Sequence, residues 1–175
     1  MIRDRLDTVI REISDFPIKG INFKDITPLL LDQDLSNEII ASFIDKLRGL
    51  RIDAIVGVES RGFLFGFLLA NALKIPFIPI RKSGKLPSDV LKCKYDLEYG
   101  SAEIEIHKDD IKEGWNILIH DDLLATGGTA EAAGSLVRDL GANVLAYAFV
   151  VSIEHLKGTK RLKKYTNKII SLINY

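Results

Sequence analysis

Apolar residues recur along this chain with two different spacings. Near the start they fall at helical intervals, which predicts an amphipathic helix, at Ile2, Leu6, Val9, Ile10 and Ile13. The same spacing predicts a second helix over 35–47, and the proline- and glycine-containing stretch 15–28 between them predicts a loop. Continuous apolar runs at 54–58, 117–119 and 144–151 predict strands that are buried on both faces.

Helices and strands alternate in the rest of the chain. Helices are predicted over 62–73 and again before Gly141. Residues 75–80 predict a strand near an edge or an end of the sheet, because Pro76 and Pro79 cannot donate to a ladder. Residues 102–107 alternate as an exposed antiparallel strand does, and the tail predicts a helical turn and an edge strand. The alternation predicts an α/β protein with a doubly wound, mostly parallel sheet, whose ligands lie beyond the carboxyl ends of the strands.

Composition excludes several classes of protein. The 175 residues are enough for one domain, and 24 Lys+Arg balance 24 Asp+Glu, so no bulk charge favours nucleic acid or a membrane surface. Cys93 is the only cysteine, which excludes an internal disulfide and fits a reducing compartment. The first residues are charged where a signal peptide would be apolar, and no run approaches the roughly 20 apolar residues of a membrane span. We therefore expect a cytoplasmic protein.

The run from Ile117 to Ala130 carries the clearest chemistry. A buried strand leads to Asp121 and Asp122 and then to a small-residue turn, Ala125 to Thr129, that opens a helix. Such a turn offers free N–H groups and a positive helix end to an anion, whereas carboxylates accept hydrogen bonds from sugar hydroxyls. Neither a P-loop nor a dinucleotide fingerprint is present. The combination predicts a site for a ribose phosphate; the alternative is an ordinary strand–turn–helix with polar turn residues.

This run resembles the phosphoribosyl-diphosphate motif of the type I phosphoribosyltransferases, in the form found in their adenine-specific members. Three more segments are similar to the same family in the same order: Phe16-Pro17 to Leu30, Glu59 to Phe63, and Arg81 to Gly100. The resemblance implies a type I phosphoribosyltransferase fold, with a single domain over 1–175. It also implies an N-terminal hood that binds the base at about 1–34, and a flexible hairpin lid at about 81–107.

The resemblance implies purine salvage: adenine and 5-phosphoribosyl 1-diphosphate would give AMP and diphosphate. Asp121 and Asp122 would hold the ribose hydroxyls. The phosphate would lie on Ala125, Thr126, Gly127, Gly128 and Thr129. Mg²⁺ would be bound mainly by diphosphate and water, with no direct protein ligand. A homodimer is expected by analogy.

Cationic residues near two strand ends resemble the family's diphosphate site. The resemblance implies that Ser60 and Arg61 contact the diphosphate, in a turn that often carries a non-proline cis peptide, here Glu59–Ser60. Arg81, Lys82 and Lys85 would then clamp the leaving diphosphate and neutralise its charge. Alternatively, Arg61 caps a turn at the surface, and the cluster 81–85 is a solvated basic loop.

Glu98, by resemblance, is the catalytic residue that faces the purine ring and assists proton movement; the alternative is an ordinary hairpin-turn glutamate. The base would lie against Asn22, Phe23 and Lys24, with Phe23 stacked on it. Lys24 departs from the family's usual arginine, and Asn22 is more polar than expected. His120 stands where an aliphatic residue is usual, and we interpret it as a histidine at the edge of the core with a hydrogen-bond partner, not as a metal ligand.

Two other functions stay open at this point. Salvage enzymes for other nucleobases share parts of the motif, although uracil enzymes usually carry a proline at the position of Asp122. A regulator could use the same fold to sense phosphoribosyl diphosphate without turnover. Such proteins typically add a nucleic-acid-binding module or a basic face, for which this neutral chain has no spare residues.

Overall fold

The computed structural model describes residues 1–96 and 100–175. Two short 3₁₀ helices, Thr27–Leu31 and Glu154–Leu156, accompany the main elements. In chain order these are α1 (Ile2–Val9), β1 (Arg11–Ile13), β2 (Phe23–Asp25), α2 (Gln33–Lys46), β3 (Ala54–Val58), α3 (Gly62–Leu73), β4 (Phe77–Lys82), β5 (Val90–Asp96), β6 (Ser101–His107), β7 (Asn116–Leu124), α4 (Gly128–Asp139), β8 (Asn143–Ser152), α5 (Gly158–Leu162) and β9 (Ile169–Asn174).

The predicted α/β architecture, a mostly parallel sheet flanked by helices, is confirmed. Seven strands pair in the order β5-β6-β4-β3-β7-β8-β9. The run from β4 to β9 is parallel, whereas β5 and β6 form an antiparallel hairpin that joins β4 through β6. Strands β1 and β2 pair with each other in a separate antiparallel ribbon, which we call the hood hairpin.

Apolar residues pack on both faces of the seven-stranded sheet. Successive residues of β3 point to opposite faces, so Ile55 belongs to the core under α1, α2 and α3, and Val56 to the core under α4 and α5. All five residues of β3 are buried, which explains the continuous apolar run that predicted it. Helix α2 starts where the Asp32 carboxylate accepts a hydrogen bond from the Leu35 N–H at 2.8 Å, an N-cap.

The N-terminal elements differ from the prediction. The first helix ends at Val9, and Arg11–Ile13 pairs with Phe23–Asp25 inside the stretch predicted as a loop. The helical spacing of Ile10 and Ile13 was misleading, because this pairing joins residues far apart in sequence and overrides a local pattern. Helix α2, by contrast, lies close to its predicted bounds.

Two strand predictions need correction. Strand β4 is an interior strand, although its residues 77–80 pair with β3 alone and only Arg81 and Lys82 pair with β6. Pro79 lies in the part of β4 that has no partner strand on its other side, so the N–H that proline lacks is not needed for strand pairing there. Strand β6 is antiparallel as predicted but is not an exposed strand, since Glu105 retains only 1% of its accessible surface.

His120 also differs from its prediction. It lies inside the sheet, fully buried, with its ring edge-on to Phe43 at 5.5 Å between centroids. Neither ring nitrogen makes a hydrogen bond of regular geometry to the described residues, and the backbone of Ala148 is the polar group that interacts with the ring. Burial lowers the pKa of His120 to about 4, a weak interaction with the Ala148 backbone acting in the opposite sense. No helix in the described part of the chain is long and apolar enough to cross a membrane.

Candidate active site

The carboxyl ends of β3 and β7 bring the first site residues together. These strands are parallel neighbours, with Gly57 opposite His120, so the turn after β3 lies beside the acids of β7. Arg61 Nε is 3.0 Å from Asp122 Oδ2, and the Asp122 residue is only 3% exposed. The contact is an ion pair without hydrogen-bond geometry, because Oδ2 has no hydrogen-bond donor among the described residues. Asp122 therefore presents a buried, charged oxygen that can still accept a hydrogen bond.

Asp121 has a different environment from its neighbour. We expected the strand to end at the two acids, but β7 continues to Leu124, so both side chains leave from a regular strand. The Asp121 carboxylate accepts a hydrogen bond from the Asp122 N–H at 2.8 Å. Burial, and then the neighbouring Asp122 charge, raise the pKa of Asp121 well above its ordinary value. The two acids thus differ: Asp122 is ion-paired with Arg61, whereas Asp121 has its pKa raised by burial.

The stretch 125–129, which we call the glycine loop, closes the end of β7. Gly127 has a φ of 83°, a conformation that favours glycine, and helix α4 begins at the next residue. A Cβ on Gly127 would lie 2.9 Å from the Gly158 carbonyl oxygen, so the loop packs directly on the start of α5. The first N–H groups of α4 have no partner within the helix, and they lie at the glycine loop. This N-terminal end of α4 is the position predicted to bind an anion.

The β5–β6 hairpin reaches the glycine loop. Thr129 Oγ1 donates a hydrogen bond to Tyr95 Oη at 3.1 Å. The Asp96 carbonyl oxygen lies 3.4 Å from the position that a Cβ would take on Gly128. The end of β5 thus covers the helix end. Glu98, predicted as the catalytic residue two positions further on, lies outside the described residues.

Glu59 organises the cationic residues near β4. The peptide bond between Glu59 and Ser60 is cis, as the resemblance implied. The Glu59 carboxylate accepts a hydrogen bond from the Lys82 N–H at 2.8 Å and pairs with Arg81 Nε at 3.2 Å. Burial alone would raise the pKa of Glu59, but these contacts outweigh it and the pKa is lowered. Arg81 is therefore held beside Ser60 by a charged partner.

A second buried carboxylate holds the loop that carries Lys85. Glu105 Oε1 accepts hydrogen bonds from the N–H groups of Lys85 and Leu86, each at 2.8 Å. Burial opposes ionisation of Glu105, but these backbone donors lower its pKa. The backbone of the loop is thereby fixed, while the side chains of Lys82 and Lys85 remain exposed. The backbone of the cluster 81–85 is thus anchored, and the ammonium groups of Lys82 and Lys85 are exposed to solvent.

Phe23 lies between an aromatic ring and a guanidinium group. Its ring meets Phe16 edge-on at 5.3 Å between centroids, and the Arg61 guanidinium carbon is 5.2 Å from its centroid. Arg61 thus contacts both Phe23 and Asp122, so the structure places it between the predicted base and ribose positions. Arg81, Lys82 and Lys85 form a separate group around Glu59 and Glu105.

The Lys24 side chain is directed away from Phe23. It forms an ion pair with Glu12, its partner across the hood hairpin, and its Nζ lies 3.8 Å from the centroid of the Tyr175 ring. Tyr175 itself is fixed to the main sheet, because its N–H donates to the Ser152 carbonyl oxygen at 2.9 Å. Lys24 therefore connects the hood hairpin to the C-terminus, and neighbouring Asn22 is exposed.

Three residues near the site were missed by the sequence reasoning. Glu59 and Tyr95 stood in the matching segments but were given no role, and Arg161 lay in the tail, for which only a helical turn and an edge strand were predicted. Glu59 and Tyr95 could have been found from the sequence, because each is a polar side chain within a segment that resembles the family. No local signal existed for Arg161, because helix α5 approaches the glycine loop only in the folded chain.

Comparison with known proteins identifies the class. Residues 29–174 match the family model of the phosphoribosyl transferase domain. Because this match covers most of the chain, the protein belongs to the phosphoribosyltransferase family.

Individual relatives narrow this assignment. The chain is 47% identical over 175 residues to adenine phosphoribosyltransferase of Cytophaga hutchinsonii, covering 100% of this chain and 97% of the relative. The crystal structure of adenine phosphoribosyltransferase from Thermoanaerobacter pseudethanolicus superposes with a TM-score of 0.96 at 47% identity, covering 100% of both chains. The Saccharomyces cerevisiae enzyme, complexed with an imino-altritol bisphosphate and adenine, gives a TM-score of 0.92 at 42% identity over 98% of each chain. Within the family, the chain groups with the adenine phosphoribosyltransferases, which are pentosyltransferases, and the resemblance stated above is confirmed.

Proposed function

We propose that this protein transfers the phosphoribosyl group of 5-phosphoribosyl 1-diphosphate to adenine, forming AMP and diphosphate in purine salvage. The observation that carries the proposal is the buried Asp122 oxygen, charged and without a hydrogen-bond donor, one short loop before a glycine-opened helix end. A sugar hydroxyl and a phosphate on one ligand satisfy both features. The yeast relative, bound to adenine and a bisphosphate, is consistent with the same pair of ligands.

The ribose-phosphate part of the substrate is assigned to β7 and the loop that follows it. Asp121 and Asp122 accept hydrogen bonds from the ribose hydroxyls. The terminal phosphate lies on the glycine loop, Ala125, Thr126, Gly127, Gly128 and Thr129, where N–H groups and the positive end of α4 stabilise its charge. The close packing of Gly127 on Gly158 keeps side chains out of this position.

The leaving diphosphate is assigned to the turn after β3 and to the loop after β4. Ser60 and Arg61 contact it from one side, and Arg81, Lys82 and Lys85 contact it from the other. Arg81 is already held by Glu59, so its guanidinium is oriented before substrate binds. These cations oppose the negative charge that builds on the diphosphate as the C–O bond at the anomeric carbon breaks.

Adenine is assigned to the hood, residues 1–34, with Asn22, Phe23 and Lys24 nearest the ring. Phe23 stacks on the base, and the backbone of the hood hairpin supplies hydrogen-bonding groups. We assign Lys24 a supporting role, because its side chain is engaged by Glu12 and Tyr175. Arg61, 5.2 Å from the Phe23 ring, closes the pocket towards the ribose.

The reaction needs a water-free site, because the ribosyl group carries cationic character when the diphosphate leaves. An adenine ring nitrogen forms the new bond to the anomeric carbon, and a proton must leave the base. We assign that proton movement to Glu98, in the segment 81–107 that is expected to form the lid. Tyr95, bonded to Thr129, fixes the base of this lid beside the phosphate.

We assign Mg²⁺ to the diphosphate, where it would neutralise negative charge. Magnesium prefers oxygen ligands and keeps several waters, so substrate oxygens with few carboxylates can hold it. Among residues 1–96 and 100–175 no group of three ligating side chains is found. Asp122 is paired with Arg61, so its carboxylate fits hydroxyl binding better than metal binding.

The outer face of α3 supports a homodimer. Phe67 is 59% exposed, and Leu64 and Leu68 beside it are also exposed. A helix that is apolar on every side is normally buried, so a partner surface fits this face. A second copy of the chain presents the same face, which suits an isologous contact. The cytoplasmic location suggested by the single cysteine stays a prediction.

The proposal is tested by offering four bases in parallel. The protein is incubated with phosphoribosyl diphosphate and Mg²⁺, together with adenine, hypoxanthine, guanine or uracil, and nucleotide formation is followed. We expect AMP from adenine alone. A product from another base would move the assignment to a different salvage reaction. If the protein bound phosphoribosyl diphosphate but formed no product, the proposed enzyme would have to be reinterpreted as a sensor of that compound.

A further inference from the structure

The positive charge of this neutral chain is concentrated at its C-terminus. Residues 155–175 contain no Asp or Glu but six basic side chains: Lys157, Lys160, Arg161, Lys163, Lys164 and Lys168. All six of these side chains are exposed, and the proposed reaction uses none of them. Two of them, however, are directed at helix α4, whose first residue is Gly128 of the glycine loop.

Their common partner is Glu131, in the first turn of α4. Arg161 Nη1 lies 3.1 Å from Glu131 Oε2, and Lys164 Nζ lies 2.5 Å from Oε1. The hydrogen bond from Lys164 is the largest influence on the carboxyl, whose pKa is lowered. A charged glutamate at this helix end would repel a phosphate bound there, and the two cations offset that repulsion.

Of the two cations, Arg161 is the one that approaches the glycine loop. Its Nη1 is 3.9 Å from the place that a Cβ would take on Gly128. The start of α5 is fixed against the loop through Gly158, whose Cα lies 3.1 Å from the Cβ position of Gly127. Nη1 carries two N–H groups and the guanidinium five in all, so one N–H can stay on Glu131 while others are available to an anion.

We propose that Arg161 is a further binding residue for the terminal phosphate of the substrate, held at the edge of the glycine loop by Glu131. Lys164 neutralises the second oxygen of Glu131 and leaves Arg161 available to the phosphate. The inference rests on the proposed function in one respect, since it requires the phosphate to lie on residues 125–129. The inference thus gives one cation of the segment 155–175 a role in substrate binding.

The test separates phosphate binding from folding. Isothermal titration measures the affinity of AMP and of adenosine, which lacks the phosphate, for the full-length protein and its variants. We expect Arg161→Gln to weaken AMP binding about tenfold, the effect of losing a charged hydrogen bond, and to leave adenosine binding unchanged. Arg161→Lys should recover part of the loss. The matched control, Lys160→Gln, removes an exposed charge from the same helix and should bind AMP as the wild type does.

A second pair of variants distinguishes contact from charge compensation. If Arg161 touches the phosphate, Arg161→Gln should still weaken AMP binding in a Glu131→Gln background. If the loss disappears once Glu131 is gone, Arg161 only offsets that carboxylate and the proposal is overturned. Equal losses for AMP and adenosine would overturn it as well, because they indicate a structural effect.

The proposed reaction and this inference can fail separately. Formation of AMP by the wild-type protein reports on the reaction alone. Ribose 5-phosphate is therefore titrated into the wild type and Arg161→Gln, since its binding requires neither adenine nor turnover. Dependence of that affinity on Arg161 would support the inference even if no AMP were made, and an affinity independent of Arg161 would overturn it in an active enzyme.

Discussion

Arg61 Nε and Asp122 Oδ2 lie 3.0 Å apart and join the turn after β3 to the second acid of β7. The pair holds a cation beside a buried carboxylate without using up the acceptor capacity of Oδ2. Arg61 in turn contacts the Phe23 ring. A single arginine therefore connects the proposed positions of the base and the ribose.

Asp122→Asn should impair the reaction with phosphoribosyl diphosphate. The amide keeps the shape but loses the charge that favours a cationic ribosyl group, so we expect kcat/KM for phosphoribosyl diphosphate to fall roughly 10- to 100-fold. Steady-state kinetics with the substrate varied at saturating adenine measure this. Asp109→Asn, an exposed acid remote in sequence from the motif, is the control. An unchanged kcat/KM in Asp122→Asn would remove Asp122 from the site.

Lys24→Met should act on adenine rather than on phosphoribosyl diphosphate. Methionine keeps much of the length but neither pairs with Glu12 nor interacts as a cation with Tyr175. The hood hairpin should loosen, and we expect the KM for adenine to rise a few-fold while that for phosphoribosyl diphosphate stays constant.

Lys24→Arg and Lys19→Met are the controls for this prediction. Arginine can keep both contacts, and Lys19 is an exposed lysine of the same segment. Both variants should resemble the wild type. Equal KM values for adenine in Lys24→Met and the wild type would show that the contacts to Glu12 and Tyr175 do not position the base site.

Local motifs were readable from the sequence, but contacts between distant elements were not. The run 117–130 predicted the strand, the tight loop and the helix, because each depends on neighbouring residues. The Arg61–Asp122 pair required knowing that β3 and β7 are adjacent. The positions of Ile10 and Ile13 fitted a helix, yet pairing with residues 23–25 ended it. Similarly, Arg161, one of the two partners of Glu131, lies 30 residues away from it in α5.

Phe67→Asp should make the protein monomeric. A charge in the centre of the apolar α3 face would be buried without a partner in a homodimer, which is strongly unfavourable. Sedimentation equilibrium should give about twice the 19.5 kDa chain mass for the wild type and the chain mass for the variant. Asn37→Asp, on the exposed side of α2, should remain dimeric. A wild-type protein that sediments as a monomer would contradict the assignment of this face.

His120 should make the fold sensitive to acid. Its pKa is about 4 in the folded protein against an ordinary value of 6.5, because burial disfavours the charged ring. Between these two values the unfolded chain binds a proton that the folded chain does not, so stability falls as the pH drops from 6.5 towards 4. From pH 7 to pH 5 this one group should remove about 2 kcal/mol from the free energy of unfolding.

Urea unfolding of the wild type and His120→Leu at pH 7 and pH 5 measures this contribution. Other groups titrate in the same range, so the informative quantity is the difference between the two proteins in their loss of stability. We expect His120→Leu to lose about 2 kcal/mol less than the wild type on acidification. His155→Leu, which removes an exposed histidine, should retain the wild-type dependence. Identical losses in the wild type and His120→Leu would mean that the buried ring does not stay neutral at pH 5.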